Sequence, residues 1–234
     1  MNKTERNEKI ISLNRILSDM YGFQGWWPLT AEKGKAPVYH PEEKNRPVSD
    51  AEAFEIIVGS ILTQNTAWRN AEKAVMNLSR QDMLNIRAIA KSDTQQLEET
   101  IRPSGYYRQK AGRLKEISLH ILENRGIAGL RALSAEKLRA LLLSWKGIGP
   151  ETADSILCYA FQRPVFVVDK YTARLFEKLH LPHSSYYEIQ AAVHEALQAR
   201  AAEYGDLHAR IVKISVRKEE DRLPGVKTVS DPFR

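Results

Sequence analysis

The sequence predicts an all-α protein. Apolar residues recur at intervals of three and four along most of the chain, the spacing that places side chains on one face of a helix. Short breaks rich in Ser, Asp, Gly and Pro separate these stretches. The one run typical of a strand, residues 164–168, is short and lies between predicted helices, so we interpret it as an extended connector.

The helices follow from this periodicity in chain order. Ser49 or Asp50 can cap the second helix, and a long proline-containing loop at 29–50, functional or poorly ordered, precedes it. The charged tail 217–234 is expected to fray. The predicted helices cover Glu8–Met20, Ala51–Thr63, Trp68–Asn77, Met83–Ala90, Asp93–Arg102, Arg108–Glu123, Ala135–Ser144, Thr152–Ala160, Lys170–Leu179, Tyr186–Ala201 and Gly205–Val216.

Charge and cysteine content narrow the function classes. A net charge of +6 and a pI near 9.3 favour a polyanionic partner. The start of the chain is polar and no run reaches the roughly 20 apolar residues of a membrane span, so we expect a soluble, cytoplasmic protein. The single cysteine, Cys158, excludes an internal disulfide and a four-cysteine cluster, and its apolar neighbours predict a buried structural thiol.

The segment Lys146-Gly147-Ile148-Gly149-Pro150 separates two predicted helices. The two glycines permit tight turns and close approach of another backbone, and Ile148 can anchor the turn in the core. The following helix would present N–H groups to an anion such as a DNA phosphate. This pattern alone is more typical of an ordinary helix–turn–helix corner in which a glycine ends the first helix.

Further motifs decide between these interpretations. The apolar run after the hairpin ends at Asp169, and the stretch 146–174 resembles the helix-hairpin-helix and the aspartate-bearing loop of the endonuclease III superfamily of DNA glycosylases. LTQNT at 62–66 resembles the motif on an early helix of that family, and IRPSGYYRQKA at 101–111 resembles its second DNA-facing turn. The resemblance spans about residues 53–208.

The resemblance implies two helical domains with a cleft between them: residues 51–165 carry the hairpin, and 1–50 plus 166–234 form the other domain. Asp169 is then the catalytic carboxylate. The implied partner is double-stranded DNA containing a damaged base, bound by a monomer. The implied DNA-binding residues, in which Gln64 fills the gap left by the flipped base and Tyr106 wedges the opposite strand, are Gln64, Tyr106, Lys146, Gly147, Ile148, Gly149, Thr152 and Lys170.

Two departures from the family pattern bear on mechanism. Members with strand-cleaving activity carry a lysine two positions after the second hairpin glycine, but this chain has Glu151, which cannot form an imine with the sugar. We therefore expect a monofunctional enzyme with absent or weak lyase activity. The cysteines of the iron–sulfur members are missing too, so no metal site or cofactor is expected, and a monovalent cation at the hairpin carbonyls is left open. His208, Arg210 and Lys213 are candidates to contact DNA or nearby carboxylates, or are plain surface charges.

The expected base pocket consists of Trp26, Trp27, Pro28 and Phe54. A Trp-Trp-Pro segment ahead of the LTQNT helix resembles the 3-methyladenine DNA glycosylase III branch of the superfamily. Aromatic faces attract cationic N-alkylated purines, and these bases leave readily without a strong general acid. The loop 29–53 is longer than that branch leads us to expect.

Two alternatives remain open from the sequence. One is an endonuclease III-type glycosylase that acts on oxidised or mismatched pyrimidines. The other is a non-catalytic DNA-binding protein that uses only the hairpin.

Overall fold

We describe a computed structural model of the chain over residues 1–226. Two compact units form. The hairpin unit comprises Gly25–Arg163, and the terminal unit comprises Met1–Gln24 together with residues 164–226. Residues 25–50 are predicted to belong with the first helix, whereas in the structure this segment is part of the hairpin unit.

The described residues are helical, without strands apart from one isolated bridge between Leu29 and Val38. The all-α prediction is confirmed, and residues 164–169 are an extended connector as expected. Single 3₁₀ turns cover Arg102–Ser104 and Glu220–Arg222, and a π-turn covers Ile156–Ala160. The helices are α1 Lys3–Tyr21, α2 Asp50–Leu62, α3 Trp68–Arg80, α4 Ile86–Lys91, α5 Thr94–Ile101, α6 Tyr107–Glu123, α7 Gly126–Arg131, α8 Ala135–Ser144, α9 Pro150–Ser155, α10 Lys170–Lys178, α11 Tyr186–Leu197 and α12 Ala201–Arg217.

Polar side chains set most helix starts. The Ser49 hydroxyl and the Glu52 carboxylate form a capping box at α2, a device that contributes about 1 kcal/mol. Helix α1 begins at Lys3, earlier than predicted, because the Asn2 side chain accepts a hydrogen bond from the Glu5 amide. Helix α11 ends at Leu197, earlier than predicted, because Gln198 adopts a left-handed conformation with φ of 44°.

The loop at 25–49 is tied to helices of its own unit. Its Thr30 amide and hydroxyl both donate to the buried Glu55 carboxylate, at 2.8 and 2.7 Å. The Gly34 amide donates to the Ser79 hydroxyl at 3.0 Å. These bonds give the long loop fixed anchor points on α2 and α3.

Each unit has its own core. Helix α2 is buried from Ala53 to Leu62 and lies at the centre of the hairpin unit. In the terminal unit, Leu17 of α1, Phe176 of α10 and Ile211 of α12 are fully buried. Within residues 1–226, no helix combines the length and hydropathy needed to cross a membrane.

Candidate functional site

Asp169 is the N-cap residue of α10, at the point where the extended connector ends. Its Oδ1 accepts hydrogen bonds from the Thr172 amide at 2.8 Å and from the Thr172 hydroxyl at 2.9 Å. Its Oδ2 lies 3.6 Å from His208 Nε2 of helix α12. The carboxylate is thus oriented from both sides, since one oxygen serves the cap and the other faces an imidazole.

These neighbours keep the carboxyl group ionised. Burial alone raises the pKa of Asp169, because a charged form is poorly solvated in the interior. The nearby imidazole of His208, with the Thr172 amide and hydroxyl, outweighs burial and holds this pKa below its usual value. Asp169 can therefore act as an anion, as a base or as a stabiliser of positive charge.

The other two α12 candidates have different partners. Arg210 forms an ion pair with Asp206, and its Nη1 donates to the Asn14 carbonyl at 3.0 Å. Lys213 donates to Gln24 Oε1 at 2.7 Å. Of the three basic side chains singled out on this helix, His208 is the one that faces Asp169.

The hairpin between α8 and α9 has the predicted form. Ile148 is 5% exposed and anchors the turn, while Lys146 and Gly149 are exposed. Gly147 has φ of +84°, and a β-carbon there would lie 2.3 Å from Arg113 Nε, so glycine is required. A β-carbon at Gly149 would meet open space, so nothing within the described protein demands this second glycine.

Gln64 contacts the hairpin directly. Its Nε2 donates to the Gly147 carbonyl and to the Thr152 hydroxyl, each at 3.0 Å, and its Oε1 accepts from Arg113 Nη1 at 2.7 Å. Thr152 itself is buried. The side-chain amide thus joins the end of α2 to the hairpin.

Tyr106 projects from a strained turn. Gly105 and Tyr106 adopt left-handed conformations in succession, with φ of 65° and 47°. Tyr106 is 68% exposed, far more than is usual for a tyrosine. Lys170, the remaining predicted DNA contact, is also exposed, at the start of α10.

The predicted pocket tryptophans lie in an aromatic cluster of the hairpin unit. The ring centroids of Trp26, Trp27 and Trp68 are 5.1 to 5.6 Å apart in edge-to-face arrangements. Tyr39 and Tyr159 complete the aromatic cluster, at 5.5 Å from Trp26 and Trp27 respectively. The indole N–H groups of Trp26 and Trp68 are buried and have no hydrogen-bond partner in the described chain.

The absence of a side chain at Gly59 leaves room for the Trp27 ring of this cluster. A β-carbon at Gly59 of α2 would lie 2.9 Å from the Trp27 ring, so the indole packs directly on the helix backbone. Pro28, the residue after Trp27, is also buried. Phe54, in contrast, is 2% exposed and lines a separate cavity of about 510 Å³ with Leu84, Leu122 and Ile127.

Sequence reasoning missed Trp68, Tyr39 and Tyr159. Trp68 gave a usable signal, because it follows the LTQNT motif and begins α3. Tyr39 lies in the loop and Tyr159 in the π-turn, and neither position has a periodicity that points to the cluster.

The structure also gives the surroundings of Cys158 and Glu151, both singled out in the sequence. Cys158 is buried, and burial raises the pKa of its thiol, in agreement with a structural thiol. Glu151 is exposed in the first turn of α9. Within residues 1–226, no group of three or more His, Cys, Asp or Glu side chains is arranged to hold a metal ion.

Comparisons with known proteins agree with this geometry. Residues 58–199 match the profile of the HhH-GPD superfamily of base excision DNA repair proteins. A protein of Methanocaldococcus jannaschii named as a DNA repair glycosylase is 39% identical over 216 residues, which is 90% of this chain and 89% of that protein.

Two solved structures also resemble the structure of this chain. The crystal structure of the H. pylori 3-methyladenine DNA glycosylase bound to 1,N6-ethenoadenine has a TM-score of 0.71 and 30% identity, covering 91% of this chain and 98% of that one. An endonuclease III–DNA covalent intermediate has a TM-score of 0.68 at 17% identity, covering 92% and 86%, a likeness of fold alone. The chain therefore belongs to the HhH-GPD superfamily of base excision DNA repair proteins and is a DNA glycosylase.

Proposed function

We propose that the protein is a monofunctional DNA glycosylase that hydrolyses the N-glycosidic bond of alkylated purines such as 3-methyladenine. The observation that carries this proposal is the aromatic cluster with its two buried, unpartnered indole N–H groups. Its further support is the 30% identity to a 3-methyladenine DNA glycosylase over nearly the whole of both chains.

The cluster suits a flipped, positively charged base. N3- and N7-alkylated purines carry a positive charge, and the faces of Trp26 and Trp68 attract cations and stack on flat rings. The two indole N–H groups are buried in the free protein, so they can donate to acceptor atoms of the base only where the cluster opens to admit it. Damaged bases also leave the duplex at a lower energetic cost than intact ones.

Asp169 is the proposed catalytic residue. Departure of the base leaves positive charge on the sugar, and an ionised carboxylate stabilises that charge or orients and deprotonates the attacking water. Because the alkylated base already weakens its bond to the sugar, a strong general acid is not needed. Glu151 in place of a lysine fits hydrolysis without strand cleavage, because a carboxylate forms no imine.

The proposed partner is double-stranded DNA, bound by the monomeric enzyme without a cofactor. The exposed Gly149 permits close approach of a phosphate to the backbone N–H groups at the start of α9. The exposed side chains of Lys146, Lys170 and Tyr106 are the proposed contacts to the two strands.

A panel of DNA duplexes tests this function. Each duplex carries one of 3-methyladenine, 7-methylguanine, ethenoadenine, thymine glycol, uracil or a G·T mismatch. We expect release of the methylated or etheno purines, and strand breaks only after alkali treatment. The enzyme with Asp169→Asn should lose at least about a hundredfold in single-turnover rate while binding the same duplex, because the carboxylate acts on the transition state.

The matched control is Asp93→Asn, since Asp93 also caps a helix through its carboxylate, at α5. This control variant should excise at the wild-type rate. Release of oxidised pyrimidines with spontaneous strand cleavage would support the endonuclease III-type alternative. An active Asp169→Asn variant would refute the assignment of the catalytic residue.

A further inference from the structure

Lys110 of α6 is a lysine in the interior of the hairpin unit. Its side chain is 1% exposed, among the largest fully buried side chains in the protein. The ammonium Nζ donates to the carbonyl oxygen of Leu62 and to that of Ser104, each at 2.7 Å. Within residues 1–226, no carboxylate accepts a hydrogen bond from this Nζ, so two backbone carbonyls hold a buried ammonium group.

Burying the ammonium group of Lys110 costs free energy, so its place in the interior calls for a physical reason. Lysine is almost never fully buried without a partner of opposite charge, since an ammonium loses its hydration in the interior. Burial, with a smaller effect from the charge of Arg113, lowers the pKa of Lys110 to about 8. An apolar side chain would fill the same space without the cost of burying a charge. The two hydrogen bonds from Nζ therefore indicate that Lys110 does more than fill the core.

The two carbonyls belong to the turns that carry the proposed DNA contacts. Leu62 is the last residue of α2, two positions before Gln64. Ser104 ends the 3₁₀ turn, two positions before Tyr106. These turns are more than forty residues apart in sequence (62 and 104), and Lys110 bonds to both.

Strain in one of these turns increases the need for an anchor. A left-handed conformation at a residue other than glycine costs about 1 kcal/mol or more, and Tyr106 adopts it with its ring in solvent. Strain of this kind persists where surrounding contacts hold it in place. The bond from Lys110 to the Ser104 carbonyl is such a contact, directly beneath the turn.

Arg113 completes the arrangement from the next turn of the same helix. It donates to Gln64 Oε1 at 2.7 Å, and its side chain packs against Gly147 of the hairpin. Helix α6 thus uses Lys110 to hold the backbone of both turns and Arg113 to hold the Gln64 side chain.

We propose that Lys110 is a positioning residue for base flipping: it fixes the Gln64 turn and the Tyr106 turn at one spacing, so that both side chains enter the duplex together. This inference rests on the proposed DNA glycosylase function. It assigns Lys110 no contact with DNA and no part in the bond-breaking step.

The test uses Lys110→Met, which keeps the length of the side chain and removes its donors. The matched control is Lys115→Met on the same helix, because Lys115 Nζ also donates to a backbone carbonyl, that of Ser92, at 2.7 Å. The probe is a duplex with a tetrahydrofuran abasic-site analogue and 2-aminopurine as the opposite base. Its fluorescence reports insertion of the wedge side chain, whichever base the enzyme excises.

With wild-type protein and with Lys115→Met, we expect a fluorescence change on binding. With Lys110→Met, we expect that change to be largely lost, and the single-turnover excision rate to fall by about 10- to 100-fold, since small misplacements have effects of this size. Affinity for undamaged duplex should stay close to that of the wild type, because the hairpin and the exposed Lys146 and Lys170 are unchanged.

A folded Lys110→Met variant with wild-type fluorescence change and excision rate would overturn the inference. A loss of affinity for undamaged duplex equal to the loss of excision would also overturn it, because that result indicates general disruption. If the wild type released no alkylated purine, the proposed substrate would fail, and the abasic-site probe would still decide the role of Lys110. Lys110→Gln, which restores one donor group, should recover part of the fluorescence change.

Discussion

At the scale of single residues, the carboxylate of Asp169 serves two purposes. Oδ1 accepts the two hydrogen bonds that cap α10, so the group cannot rotate without losing the cap. Oδ2 is the oxygen available for the proposed reaction, and its neighbour is the His208 imidazole at 3.6 Å. That distance exceeds a hydrogen bond, and catalytic contacts of this kind often shorten when substrate binds.

Replacing His208 by leucine should move the pH dependence of excision. The nearby His208 imidazole offsets part of the effect of burial on the pKa of Asp169, so its removal should raise this pKa. With a raised pKa, the carboxylate becomes protonated earlier as the pH falls, so activity is lost at a less acidic pH than in the wild type. We therefore expect the acidic limb of the single-turnover rate profile to shift upward in pH.

His183→Leu is the control for this measurement, since His183 is an exposed histidine of the terminal unit. Its rate profile should overlay that of the wild type. A His208→Leu enzyme with a uniformly lower rate and an unmoved acidic limb would show that His208 serves packing alone.

Individual residues also show which parts of the candidate site can be predicted from the sequence. Asp169, Glu151 and the hairpin glycines could be singled out because they lie within one continuous stretch with a recognisable order. Lys110 and Trp68 take their meaning from partners far away in the sequence, such as Leu62 for Lys110 and Trp26 for Trp68. Phe54 was grouped with the tryptophans by its place near the start of a helix, and it lines a different cavity.

At the scale of elements, the hairpin depends on how α8 and α9 are joined. Asp154 of α9 is fully buried, and its two oxygens accept from Arg139 Nε and Nη2 of α8, at 2.7 and 3.1 Å. A two-point ion pair of this kind fixes the angle between two short helices as well as their distance. Helix α9 has only six residues, too short to be stable alone.

Asp154→Asn should lower the free energy of unfolding by about 1 to 3 kcal/mol, because Arg139 then loses a charged partner and keeps part of its access to water. Urea unfolding of the purified variant measures this. The control is Asp50→Asn, which removes an exposed ion pair with Arg131 and should cost less than about 1 kcal/mol. Equal losses in the two variants would contradict the role given to the buried pair.

The helices α2, α8 and α11, each capped by a serine, begin within one residue of their predicted starts, whereas α1, capped by Asn2, begins five residues before its predicted start. Ser49 and Asp93 are local signals that the sequence shows directly. The helix predicted at Thr152–Ala160 is instead α9 followed by a π-turn from Ile156, and α7 was not predicted at all. Helix α7 follows the left-handed Arg125 and has six residues, so it offers little periodicity to detect.

At the scale of the whole molecule, the net charge of +6 gives an expectation for DNA binding. Each phosphate neutralised by a lysine or arginine releases a condensed counterion, so the logarithm of the association constant falls linearly with that of the salt concentration. Lys146→Gln should weaken binding to any duplex sequence and reduce the magnitude of that slope by about 1.

Fluorescence anisotropy across a series of salt concentrations provides the slope. Lys9→Gln serves as the control, because Lys9 pairs with Glu5 on α1 and lies outside the proposed contacts. An unchanged slope for Lys146→Gln would remove this lysine from the DNA interface.

The aromatic cluster has a practical consequence for studying this enzyme. Three of the four tryptophans of the chain lie in this cluster, and the ring centroids of Trp26, Trp27 and Trp68 are within 5.6 Å of one another. Indoles this close exchange excitation energy, and a purine placed against any one of them would quench the group. Unlabelled protein therefore carries its own optical reporter, whose signal should respond to free methylated bases in titrations that contain no DNA.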